Sequence, residues 1–142
     1  MRIIRENPNA RFDEAWQYVD RTYAHLIRES FLDAVILLDE EHHMPGADGL
    51  HIWYKSDHAD ITVRNNPDFD VAKFIEILVH ELTHLVQCSS GRFEHMTEEE
   101  MEKEAYPAGQ AAKSLYELAE FERLAAAMKT AADRARFMRR AA

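Results

Sequence analysis

The residues best suited to chemistry in this sequence lie in the pentapeptide His80-Glu81-Leu82-Thr83-His84. In a helix, His80 and His84 lie on one face, about 6 Å apart along the axis. Two imidazoles so placed can bind one ion with zinc–nitrogen bonds of about 2.0–2.1 Å. Glu81 lies beside the pair, where it can accept a proton from water at the metal's open position. The spacing therefore predicts a catalytic Zn²⁺ site with Glu81 as general base.

The surroundings of the motif support this interpretation. The histidines fall within a largely apolar stretch, from Ile75 to Val86. Burying two imidazoles and a carboxylate there costs several kcal/mol unless a partner such as a metal satisfies them. The alternative is a pair of core histidines with ordinary hydrogen bonds.

A catalytic zinc site also needs a third protein ligand and an open fourth position. Four downstream glutamates are candidates, because Glu100 and Glu104 share one helix face, as do Glu98 and Glu102. Glu98 to Glu100 form a charge run typical of a helix start. Glu104 is followed by small residues that allow close approach to the motif helix. We therefore predict Glu104 as the third metal ligand, with Glu100 as the second choice.

The elements that must position these residues follow from apolar spacing and turn residues. Helices are predicted over about 11–29, over about 70–89 with Asp68 or Asp70 as the cap, from the capping residue Thr97 onward, and over about 110–138. Pro107, helped by Gly109, is expected to end or kink the third helix. Strands are predicted over 34–38, 50–54 and 60–64. The order predicts one α+β domain over residues 1–142, with a three-stranded twisted sheet and a backing helix.

Composition narrows the function classes. The net charge of -9 disfavours nucleic acid and anionic membranes as partners. The single cysteine, Cys88, excludes an internal disulfide framework. The sequence contains neither an apolar run of membrane-spanning length nor a signal-peptide pattern at its start. We therefore expect a cytoplasmic protein that binds no membrane.

His80-Glu81-x-x-His84 followed by Glu104-Ala105 resembles the gluzincins, zinc metallopeptidases with a glutamate ligand on a second helix. The short chain is similar to the minimal single-domain "minigluzincin" type. The resemblance implies a zincin-like fold, a peptide or protein substrate, and zinc ligation by His80, His84 and Glu104. It also implies an edge strand that pairs with the substrate, here near Ile61-Thr62-Val63. Many gluzincins carry an acidic residue where this sequence has Ala108.

A peptidase also needs a hydrogen-bond donor for the oxyanion that develops on the scissile carbonyl. Tyr106, two residues after Glu104, is the first candidate. The alternatives are His95, His51 and His58.

Two other functions fit the sequence. A di-iron site uses paired Glu-x-x-His motifs, and Glu40-x-x-His43 would accompany Glu81-x-x-His84. A non-catalytic zincin scaffold would bind or regulate partners, with the Ala-rich last helix as a contact surface. That helix, or the N-terminal segment, could also cover the cleft and keep an enzyme latent. The sequence leaves the oligomeric state open.

Overall fold

The computed structural model describes residues 2–39, 46–54 and 58–141 and shows an α+β architecture. A short 3-10 turn, Arg92–His95, precedes the last helix. The strands and helices, in chain order, are β1 (Arg2–Arg5), α1 (Ala10–Thr22), α2 (Ala24–Glu29), β2 (Leu32–Leu38), β3 (Gly49–Tyr54), β4 (His58–Arg64), α3 (Val71–Ser89) and α4 (Glu98–Ala141).

The sheet has four strands in the order β1-β2-β4-β3, rather than the three predicted. β1, β2 and β4 run parallel, and β3 pairs antiparallel with β4. The additional strand, β1, escaped prediction because it has four residues and a largely exposed pattern. Such a short segment shows no clear alternation of apolar and polar residues.

The predicted substrate strand is not at an edge. Ile61 of β4 pairs with Val35 on one side and with His51 on the other. Ile61, Thr62 and Val63 are all buried, as expected for a central strand that is covered on both faces. The prediction that residues 61–63 form an edge strand is therefore wrong, and the described edge strand beside α3 is β3.

The helices that pack on the sheet begin at side-chain caps. Asn9 accepts hydrogen bonds from the backbone N–H groups of Arg11 and Phe12 at the start of α1. Asp70 accepts one from Lys73 at the start of α3, as the sequence suggested. The single helix predicted over 11–29 is divided at Tyr23, whose φ of -112° and ψ of 23° are not helical. α1 and α3 share a core with β2 and β4.

α4 continues as one helix over 44 residues, so the prediction that a helix ends at Pro107 is wrong. Pro107 and Lys103 are both exposed, and water can therefore hydrate the Lys103 carbonyl that lacks a proline N–H partner. Gly109 is a contact point with α3 rather than a break. A Cβ there would lie 2.6 Å from the backbone oxygen of Glu76. The predicted glutamate helix and C-terminal helix are therefore one element.

The far end of α4 lies away from this core. Every residue from Phe121 to Ala141 is exposed. Among the described helices, none combines the length and apolar character required to span a membrane.

Candidate metal centre

The two histidines of the motif point to one place. His80 and His84 lie one turn apart on α3, and their Nε2 atoms are 3.0 Å apart. The carboxylate of Glu102, on α4, approaches both, at 3.0 Å from His84 Nε2 and 3.3 Å from His80 Nε2. A tetrahedral ion with bonds of about 2.0–2.1 Å holds its ligand atoms about 3.3 Å apart. These three side chains therefore form a group that can bind one metal ion.

The hydrogen bonds of Gln87 fix the tautomer of His84. The Gln87 Nε2 group donates to the Met101 carbonyl at 3.1 Å and to Glu104 Oε2 at 2.7 Å. Both partners only accept, so Gln87 Oε1 must be the atom that faces His84 Nδ1 at 3.0 Å. His84 therefore donates from Nδ1. In the neutral ring, the lone pair of Nε2 faces Glu102, and a cation bound between the two would satisfy both groups.

Glu104, the predicted third ligand, lies elsewhere. Its carboxylate accepts hydrogen bonds from Gln87 and from Arg92, the latter at 3.0 Å. Both hydrogen bonds lower the pKa of Glu104, and the bond from Gln87 makes the larger contribution. Residues two apart on a helix are rotated by about 200°, so Glu102 and Glu104 cannot share a face. The structure brings Glu102 to the histidines in place of Glu104, and Glu104 instead holds the residue that orients His84.

A sequence signal could have distinguished the two glutamates. The buried residues of α4 are Ala105, Gly109 and Ala112, which follow one another at helical spacings of four and three. Glu102 extends this stripe by three residues, whereas Glu104 lies about 100° away from Ala105. The small residues correctly indicated close helix packing, but their spacing indicated Glu102.

Glu100, the second choice for a ligand, has a structural role. Its carboxylate accepts a hydrogen bond from the Thr97 backbone N–H at 2.8 Å, and the Thr97 hydroxyl accepts one from the Glu100 N–H. This reciprocal pair is a capping box, so it confirms the predicted helix start at Thr97.

Glu81 is buried beside the histidines, with 6% of its surface exposed. Burial, with a further contribution from the charge of Glu102, raises the pKa of Glu81 to about 8, and a hydrogen bond from the His51 backbone opposes this rise. β3 passes close to this carboxyl group. A Cβ on Gly49 would lie 2.6 Å from Glu81 Oε1, so only glycine fits the present packing there. A carboxyl group with a raised pKa at a cavity is suited to proton transfer.

His51, on β3, completes the wall beside Glu81. Its ring stacks on that of His84 with centroids 5.1 Å apart, and its Nε2 lies 3.5 Å from Cys88 Sγ. Burial is the main reason that the pKa of His51 is lowered to about 4, and the two nearby motif histidines contribute to this shift. The ring is therefore neutral at pH 7 and retains one N–H donor.

The four candidate oxyanion donors differ in whether they line the cavity beside the histidines. A cavity of about 450 Å³ lies between α3, α4 and β3, and it is lined by the metal-binding group, Glu81, His51 and Tyr106. His58 instead stacks on Tyr54, and His95 lies on the exposed 3-10 turn. Of the four candidates, Tyr106 and His51 line the cavity, so these two remain as candidate oxyanion donors.

The second Glu-x-x-His motif, Glu40 to His43, lies outside the described residues. Comparison with known proteins yields no significant match: no family model, curated protein or solved structure is similar to this chain.

Proposed function

We propose that this protein is a zinc-dependent peptide hydrolase, with His80, His84 and Glu102 as the metal ligands. The observation that carries the proposal is the set of three lone-pair donors converging on one point, with the His84 tautomer fixed by Gln87. Two imidazoles and one carboxylate form a ligand set of catalytic zinc sites, and such sites leave a fourth position open. The adjoining cavity provides space at that position.

Bound zinc would polarise a substrate carbonyl and lower the pKa of a coordinated water to about 7. The chain's own residues supply the proton chemistry. The charge of a bound cation would favour the Glu81 carboxylate that accepts a proton, and burial favours the protonated form that then delivers this proton to the leaving amine. The neighbouring N–H of His51 restrains the Glu81 carboxylate.

β3 is the element we assign to substrate binding. It lies at the end of the described sheet, and Gly49, Leu50 and His51 line the cavity. An extended peptide that pairs with β3 would place its backbone beside Glu81. Tyr106, on the opposite wall and 61% exposed, can move toward a developing oxyanion and donate a hydrogen bond from its hydroxyl.

The test combines metal analysis with cleavage of a mixed-sequence peptide library. The protein is loaded with zinc, dialysed and compared with Glu81→Gln. We expect one zinc per chain in both proteins and cleavage only by the parent, because glutamine keeps the shape of Glu81 but cannot accept the proton. Glu99→Gln is the matched control, since Glu99 is an exposed α4 residue paired with Lys103.

Three results would contradict the proposal. If the protein retained no zinc, the proposed metal centre would be wrong. If cleavage survived in Glu81→Gln, the assignment of Glu81 as the base would be wrong. Two irons per chain would favour the di-iron interpretation instead.

A further inference from the structure

The exposed end of α4 carries an ordered apolar stripe. Spacings of three and four residues place six side chains on one face of the helix. We call this face the distal seam, and its members are Phe121, Leu124, Met128, Ala131, Ala135 and Met138. Phe121, Met128 and Met138 are 70%, 73% and 67% exposed. Apolar residues that recur at alternating spacings of three and four are the pattern by which helices pair in coiled coils.

This half of the helix leaves its apolar face uncovered. Every described residue from 121 to 141 is exposed, and this stretch measures about 30 Å. In proteins, most of the stability of a helix comes from packing of an apolar face against a neighbour. The distal seam is the face available for that packing.

The charges around the distal seam indicate which partner fits. On its N-terminal side, residues 117–123 carry three glutamates and one arginine. On its C-terminal side, residues 129–140 carry five Lys and Arg residues and one aspartate. Two copies paired in parallel would place like charges together, whereas antiparallel copies place the acidic side against the basic side. Glu120 and Arg134 occupy equivalent positions flanking the distal seam, fourteen residues apart.

We propose that two copies of this chain associate through the distal seam as an antiparallel helix pair centred near Ala126. In this arrangement, Phe121 lies near the small residue Ala131 of the other copy, and Leu124 lies near Met128. Each seam residue from 121 to 131 therefore meets an apolar partner.

The mass of the full chain in solution tests the association. The chain has a mass of 16.5 kDa, and we expect twice that value for the unmodified protein by light scattering. Leu124→Glu places a charge in the distal seam and should give a monomer. Ala126→Glu is the matched control, because it adds the same charge on the opposite, outer face and should leave the dimer intact. Far-ultraviolet circular dichroism and zinc content should be equal in both variants.

The orientation is tested by spin labels in a Cys88→Ser background. Labels at residues 126 and 140 are measured separately. Antiparallel pairing predicts no axial separation between the labels at residue 126 and about 42 Å along the axis at residue 140, whereas parallel pairing predicts equal distances at both. A monomer at every soluble concentration, a dimer that survives Leu124→Glu, or equal distances at both positions would overturn the proposal. A monomer that binds anionic vesicles would identify a membrane surface as the partner instead.

Discussion

The two halves of α4 differ in what they present to their surroundings. The proximal half, residues 98–116, buries Ala105, Gly109 and Ala112 against α3 and carries Glu102 to the histidines. The distal half, residues 121–141, exposes its whole circumference, including Phe121 and Met128. Side-chain size therefore does not indicate burial on this helix. Here the small residues mark the intramolecular contact, and the large apolar residues lie on the surface.

The difference has a geometric basis. Packed helices lie 8–10 Å apart, and the smallest side chains allow the shortest separations. At Gly109, the two backbones approach so closely that no Cβ fits without a shift. This approach lets Glu102 reach the histidines on α3. The larger side chains of the distal seam suit a wider separation, as in a coiled coil.

The largest effect is expected at Glu102, the proposed metal ligand in the proximal half. Glu102→Ala removes a carboxylate that lies 3.0 Å from His84 Nε2. Zinc affinity should fall more than the roughly 100-fold that loss of an outer-shell partner can cause. Glu122→Ala, in the exposed distal half, should leave affinity unchanged. Competition titration with a chelator measures both. Equal affinities in the two variants would show that Glu102 is not a ligand.

The second-largest effect is expected at the contact between Gly109 and the backbone of Glu76. Gly109→Val brings a branched side chain against the Glu76 backbone, and we expect the free energy of unfolding to fall by about 2–3 kcal/mol. Ala126→Val in the distal half should cost only the helix propensity, about 0.6 kcal/mol. Urea denaturation compares the two variants. A small loss for Gly109→Val would mean that α3 and α4 separate readily.

The smallest effect concerns Glu104, which is well exposed. Hydrogen bonds from Gln87 and Arg92 lower its folded-state pKa below the ordinary value of 4.5. This contribution to stability is present above pH 4.5 and is lost as the pH falls through the lower folded-state value. The unfolding midpoint of Glu104→Gln should therefore decline less between pH 5 and about pH 3 than that of the parent. Parallel curves would exclude this contribution.

The parts predicted from the sequence are those governed by local patterns. The α3 helix, its Asp70 cap and the Thr97 capping box each depend on residues within a few positions of one another. The motif histidines converge because the helix alone places them one turn apart. Glu81 lies beside them for the same reason.

The parts missed depend on contacts distant in sequence. β1 is a strand because it pairs with β2, and four residues of mixed exposure do not reveal that pairing. The helix passes through Pro107 because tertiary packing on both sides outweighs the local cost. The choice between Glu102 and Glu104 required the face of α4 that meets α3. Gln87, the residue that fixes the His84 tautomer, was not singled out at all.

The continuous course of α4 joins the metal-binding group to a point far from it. Met138 lies 36 residues, or about 54 Å along the axis, beyond Glu102. Because Ala105, Gly109 and Ala112 are buried between these two residues, a molecule held at the tip of α4 would be kept well outside the cavity.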